Sequence, residues 1–241
     1  MTLGVSSKPV NASRPAEMRP LSVFSAMLGR ELRLAFRRPA DLLNPVFFFA
    51  MVVALFPIAV SPLPAVLKVL GPGVVWVAVL LAGLLPLNSI FAQDYEDGTL
   101  EQYLLSGQSL VAICFAKTLS LWLVSILPLV LVSAFVAQSY LLPLDVVPIL
   151  VISLSLGGYS ICALGAVAAA LTIGVQRSNA LIALLVLPLM VPVLIFGARA
   201  VSLASTNSEL GGSLGLLGAV ALLSLLLAPV AAAAALRISL E

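Results

Sequence analysis

Six long hydrophobic runs joined by short connections leave this 241-residue chain few folds to adopt. They lie at about 42–60, 72–91, 110–134, 146–172, 180–198 and 213–236. A bilayer core about 30 Å thick is crossed by about 20 apolar residues of α-helix. Inside it every backbone polar group must be satisfied by the helix itself. The chain is 62% hydrophobic and only 9% charged, far from the roughly 45–50% apolar content of soluble domains. The expected fold is an all-α integral membrane protein, with six transmembrane helices forming one domain over residues 21–241.

Residues 1–20 carry Ser, Pro, Asn and scattered charge without hydrophobic periodicity, so they read as a disordered tail. They lack the apolar core of a signal peptide. The next segment, 21–38, has helical periodicity. Leu21, Phe24, Leu28, Leu32, Ala35 and Phe36 share one face, and Arg30, Arg33 and Arg37 share another. That pattern predicts an amphipathic helix lying in the lipid headgroup layer and ended by Pro39. Glu31 interrupts the apolar arc, and the expectation is that it snorkels or pairs with a basic neighbour such as Arg38.

Arginine placement orients the chain. Arg30, Arg33, Arg37 and Arg38 precede the first span, Arg177 lies between spans four and five, and Arg237 follows span six. The opposite side holds only Lys68 and Arg199. The positive-inside rule then places both termini in the cytoplasm.

The interior excludes several kinds of chemistry. With no histidine, the usual haem ligand, zinc ligand and proton shuttle are missing. Neither a phosphate-binding Gly-x-x-x-x-Gly-Lys-Ser/Thr loop nor a Gly-x-Ser-x-Gly elbow occurs, so no catalytic activity is expected of this chain alone. No motif binds a cofactor or a metal, and no nucleic-acid partner is expected. Cys114 and Cys162 lie in apolar runs and read as packing residues. Charges are absent from the span centres, and Lys117 sits near enough to an end to snorkel. That argues against an ion-coupled carrier, which needs ionisable groups near mid-membrane.

Small residues recur every fourth position in span four, at Gly158, Cys162, Ala166, Ala170 and Gly174, and again in span six at Gly211, Gly215 and Ala219. Such stripes let another backbone approach closely, here most simply within the chain. Prolines 57, 86, 128, 188, 192 and 229 each remove a helix hydrogen bond and are candidate kinks. Ser153, Ser155, Tyr159 and Ser160 put hydroxyls in span four, where bonding to the local backbone is expected.

Between spans two and three lies a polar island, residues 93–102, holding four of the ten acidic residues. Thr99 and Gln102 have capping-box spacing, Gly98 permits a sharp turn, and Gly107 is placed to end a helix of about two turns. Leu100, Tyr103 and Leu104 share one side of it, while Glu101 faces elsewhere. Two turns do not persist alone in water, so something must hold this helix. Membrane-surface helices favour Lys and Arg, whereas this one is acidic. The expectation is a cytoplasmic helix gripped along its apolar side by a protein groove.

The run Glu96-Asp97-Gly98-Thr99-Leu100-Glu101-Gln102-Tyr103-Leu104-Leu105-Ser106 resembles the coupling loop of type-2 ABC exporter permeases. In that family it docks into an ATPase subunit, and a helix like 21–38 forms an elbow before span one. The stretch Arg30-Glu31-Leu32-Arg33-Leu34-Ala35-Phe36-Arg37-Arg38-Pro39, with Asp41-Leu42-Leu43-Asn44-Pro45, resembles more narrowly the haem exporter permease, the B subunit of bacterial cytochrome c maturation. So do the 188–197 run Pro-Leu-Met-Val-Pro-Val-Leu-Ile-Phe-Gly and the ending 235–241, Ala-Leu-Arg-Ile-Ser-Leu-Glu. The resemblance implies an inner-membrane permease whose ATP is hydrolysed by a partner A subunit. It also implies association with the haem-handling C subunit and the small D subunit. Haem is then the species transported or handled, and a second copy of the chain is one way to complete the two membrane halves of an ABC assembly. Two alternatives stay open: an ABC permease for a lipid, drug or glycan, and a membrane scaffold that moves nothing.

Overall fold

Prolines open the membrane helices. In the computed structural model, which describes residues 20–175, 178–206, 208 and 211–240, Pro39 and Pro64 each begin a helix near its first position. There the missing N–H has no intrahelical partner to lose, and the fixed φ suits the helix. Helix α1, Pro20–Phe36, precedes α2, Pro39–Ala59. Next come α3, Pro64–Leu84, a 3₁₀ turn at Leu85–Asn88, and α4, Ser89–Glu96. Helix α5, Thr99–Leu105, is followed by α6, Leu110–Leu121, a π turn at Trp122–Ile126, and α7, Leu127–Ser139. The chain continues with α8, Val147–Leu171, α9, Ser178–Ser205, and α10, Gly211–Leu240. No strand occurs among the described residues.

Six of these helical stretches are long and apolar enough to cross a membrane, with α3–α4 counting as one and α6–α7 as another. The second runs over Pro64–Glu96, longer at both ends than the 72–91 run expected from hydropathy. Pro72 lies inside it rather than at its start. The far end takes in residues 93–96, so the first four residues of the polar island are the last turn of a span. The two irregular turns have a common cause. Pro86 sits inside the 3₁₀ turn and Pro128 lies two residues beyond the π turn. A proline ring clashes with the carbonyl four residues earlier, and a tightened or widened turn relieves that clash.

Helix α8 is the hub, packing against α10, α9, α3 and α7. Its glycines make room for the largest neighbours. A Cβ on Gly157 would strike the Trp76 ring, one on Gly158 would strike Ile126, and one on Gly165 would strike Leu87. Gly197 of α9 also faces the Trp76 ring, and the fully buried indole packs against both glycines. Cys162, Ala166 and Ala170 are buried in the same helix. The expected stripe stops there. Gly174 lies beyond the end of α8 at φ +76°, a conformation for which glycine is favoured, and turns the chain beside the Tyr95 hydroxyl. In α10, Gly215 and Ala219 lie on the outer surface, with no neighbour within 4 Å of a Cβ built on Gly215, so close packing within the chain does not hold there. The side chain at 211 lies outside the described residues.

Ser153, Ser155 and Ser160 donate to carbonyls three or four residues earlier in their own helix. Alternating helix direction gathers the α4–α6 connection, α1 and the end of α10 at one end of the bundle. There Ser239 Oγ donates to the Ala170 carbonyl at 3.2 Å. The other end is closed by Tyr140, whose buried hydroxyl donates to the Val53 carbonyl at 2.8 Å. The expected tail, Arg177 and Gly211's packing fall on or beside residues outside the description.

Candidate functional site at the charged end

Helix α5 begins differently from the capping-box expectation. Gly98, in the left-handed region at φ +69°, is the residue before the helix, and its carbonyl faces the Gln102 amide at 3.4 Å. Thr99 is already helical, and its side chain caps nothing. A side-chain cap needs a non-helical backbone at the capping residue, and here glycine occupies that position. Gly107, at φ +68°, follows the helix end, and Ser106 Oγ donates to the Tyr103 carbonyl at 2.9 Å.

The sides of α5 also differ from expectation. Leu100 is buried in the chain's own core, while Tyr103 and Leu104 pack half-buried against it. The apolar side expected to await a partner is therefore covered by this chain. Glu101, Gln102, Leu105 and Ser106 face outward, with Leu105 88% exposed. Glu96 and Asp97, at the preceding turn, are exposed as well.

Behind α5 lies an ionic network. Arg30 of α1 places Nη1 3.1 Å from the Tyr103 hydroxyl and 3.1 Å from Glu31 Oε1. Its Nη2 lies 3.0 Å from Asp94 Oδ1. Lys117 of α6 places Nζ 2.6 Å from Asp94 Oδ2 and 3.1 Å from Glu31 Oε1, and donates to the Ile90 carbonyl at 3.0 Å. The Phe91 ring centroid is 5.9 Å from the same nitrogen, within cation–π range. Tyr103 Oη donates to Met27 Sδ at 3.7 Å. Two cations and two carboxylates thus close on one another with no net charge, joining α1, α4, α5 and α6.

Burial makes that closure necessary. The side chains of Lys117 and Asp94 are only 4% and 5% exposed. An isolated buried charge costs several kcal/mol of solvation, which close opposite charges and hydrogen bonds must offset. Burial lowers the Arg30 pKa, but the hydrogen bond and charge of Asp94 outweigh it, so the group lies above its ordinary value. Burial raises the Tyr103 phenol against the pull of Arg30, which keeps its proton in place for Met27. With their charges held by Arg30 and Lys117, Asp94 and Glu31 are poorly disposed to take a metal ion.

Glu31 pairs with a basic neighbour as expected, but the neighbour is Arg30, joined by Lys117, and Arg38 donates to Gln93 Oε1 at 3.1 Å. Lys117 does not snorkel: it turns into the protein, where Asp94 and Glu31 supply its counter-charges. Arg33 donates to the Gly29 carbonyl of its own helix, and Arg33 and Arg37 are exposed outside the network. Helix α1 buries Val23 and Met27, whereas Leu21 and Phe36 of the expected apolar face are 80% and 75% exposed. Phe24 stacks on Phe115 of α6 at 5.3 Å between ring centroids. Asp94 and Lys117 were not singled out as a pair from sequence. The available signal was opposite charges just inside the facing ends of consecutive spans.

Helix α1, the short helix α5 between the second and third spans, and six membrane-length helices make this an all-α multi-pass membrane protein. The family described as CcmB protein matches residues 22–239. Among curated relatives, heme exporter protein B of Pseudomonas aeruginosa is 49% identical over 218 residues, covering 90% of this chain and 98% of that protein. The Haemophilus influenzae heme exporter protein B is 41% identical, covering 91% of this chain and 99% of its own length. The Escherichia coli K12 protein of the same name is 43% identical, with coverages of 88% and 96%. This chain belongs to the CcmB family.

Proposed function

We propose that this chain is the permease subunit of an ABC haem exporter serving cytochrome c maturation. Support comes from family membership, from relatives named as heme exporters, and from the resemblance carried by the 96–106 run. The membrane is the bacterial inner membrane. Arg30, Arg33, Arg37, Arg38 and Arg237 gather at the charged end, against Lys68 and Arg199 at the other, so the charged end and both termini face the cytoplasm. The partners are the ATPase A subunit, the C subunit and the small D subunit, with a second membrane half completing the assembly. The chain hydrolyses no ATP itself, and haem, where it meets this subunit, takes no histidine ligand from it.

The carrying observation is the Arg30–Glu31–Asp94–Lys117 network behind α5. It makes the short helix part of a rigid joint with α1, the end of span two and the start of span three. A push delivered to the exposed Glu101–Gln102–Leu105 side passes through Tyr103 and Leu100 into those spans. ATP biases the bundle to the extent that the partner binds its two arrangements with different free energy.

Replacing Leu105 by Asp tests this. The expected result is loss of the co-purifying ATPase and accumulation of unreleased haem-loaded chaperone, with unchanged insertion and thermal stability. Retention of the ATPase at wild-type levels would sink the docking claim. Leu100→Asp is the contrast: it places a charge in the chain's own core and is expected to destabilise the subunit before it affects any partner.

A further inference from the structure

A cleft of about 130 Å³ opens beside the network, walled by α1, the α1–α2 junction, α4 and α6. We propose that it binds the headgroup of an aminophospholipid from the leaflet bordering the charged end. The inference does not depend on the ATPase partner or on the transported species.

Charge in the cleft is mixed, and part of it is unspent. Lys117 and Glu31 line the cleft and are already engaged with each other. Arg38 and Asp41 line it too, are exposed, and form no ion pair with each other or with any other described residue. Arg38 has a single side-chain bond, from Nη1 to Gln93, which leaves Nε and Nη2 to donate. One uncommitted guanidinium and one uncommitted carboxylate at the same mouth match a zwitterion. A phosphodiester accepts from Arg38, for which guanidinium is the favoured donor. A primary ammonium donates to Asp41, and a quaternary ammonium has no proton to give.

Depth in the membrane agrees with that assignment. Arg38 and Asp41 on the cleft are exposed, Lys117 is buried, and Leu34, Leu121 and Val124 give the cleft a half-buried apolar wall. From Lys117 to Ser125 the span climbs about 12 Å into the bilayer, at about 1.5 Å per residue. The Ser125 hydroxyl lines the cleft and donates to no described residue, although Ser125 is only 2% exposed. It stands in the π turn at Trp122–Ile126, an irregularity frequent at functional sites. Ser120, Ser133 and Ser153 bond to their own helix, whereas Ser125, like the buried Ser224 and Tyr159, has no such bond among the described residues. Ser125 is thus left to donate to a lipid ester oxygen, while the acyl chains lie along Leu121 and Val124 in the bilayer.

Native mass spectrometry of the full-length chain, with phosphatidylethanolamine, phosphatidylcholine and phosphatidylglycerol of matched acyl chains, tests the proposal. The wild type should retain phosphatidylethanolamine at least about tenfold more strongly than the other two, a factor worth about 1.4 kcal/mol. Asp41→Asn should abolish that preference while leaving phosphatidylglycerol retained, and Arg38→Gln should weaken both. Ser125→Ala should lower retention about threefold without changing the preference. Lys68→Gln, at the opposite end, should change nothing. Equal retention of the three lipids by the wild type, a preference for the anionic lipid, or an Asp41→Asn variant that still selects phosphatidylethanolamine would each overturn it.

Discussion

The charged end and the middle of the bundle are held together by opposite means. At the charged end, α1, α4 and α6 meet through Arg30, Glu31, Asp94 and Lys117, with α5 joined through Tyr103, and the buried Asp94 and Lys117 each face a counter-charge. In the middle, Trp76 is clasped by Gly157 and Gly197, and fit depends on shape alone. The directional joint answers to where charges sit, and the clasp answers to volume. The coupling role proposed for this end requires displacement to pass between particular helices, which favours the first kind of contact. A membrane core gains little from apolar burial against lipid tails and relies on close packing, which favours the second.

The largest expected effect breaks the charged joint. Asp94→Ala leaves Lys117 buried without its nearest counter-charge and should cost about 3–5 kcal/mol, read as thermal unfolding in detergent. Asp94→Ala combined with Lys117→Met should recover much of that loss, because an apolar pair needs no compensation. A single variant as stable as wild type would mean that the joint does not hold this end. Next comes the clasp: Gly157→Leu forces the Trp76 ring aside and should cost about 1–3 kcal/mol. Trp76→Ala should relieve part of it in the double variant, and no relief would place the strain elsewhere.

Smaller effects sharpen the contrast between the two sides of α5. Leu105→Asp should leave unfolding within about 0.5 kcal/mol of wild type, while lowering ATPase co-purification about tenfold, or about 1.4 kcal/mol. Glu101→Lys should change association by only about 0.2–1 kcal/mol, as for exposed ion pairs. Measured side by side in pull-downs at low and high salt, the first should be insensitive to salt and the second sensitive. The reverse order would make the contact electrostatic.

Much of this architecture was legible in the residues. Hydrophobic run length gives six spans, because a bilayer demands a minimum apolar length and tolerates little else. Gly98 and Gly107 mark the bounds of α5, because left-handed backbone favours glycine. Other features misled in specific ways. Spacing at Thr99 and Gln102 suits a capping box, but whether Thr99 precedes the helix or starts it depends on where the chain turns. The every-fourth-residue stripe in span four was visible, but not that α8 would end before Gly174. Leu100 and Leu105 are both leucines on one short helix, and nothing local says which one the rest of the chain covers.

What the amino-acid sequence determined alone was therefore the class of fold, the number of spans and the clustering of arginines. Each rests on local composition read against a solvent with a fixed thickness and low polarity. Tertiary structure decided the rest. Arg30 comes from a part of the chain far from Asp94, Tyr103 and Lys117, and the pairing of Lys117 with Asp94 is settled only when α6 lies against α4. Charge chooses partners by distance, and distance between helices is a property of packing.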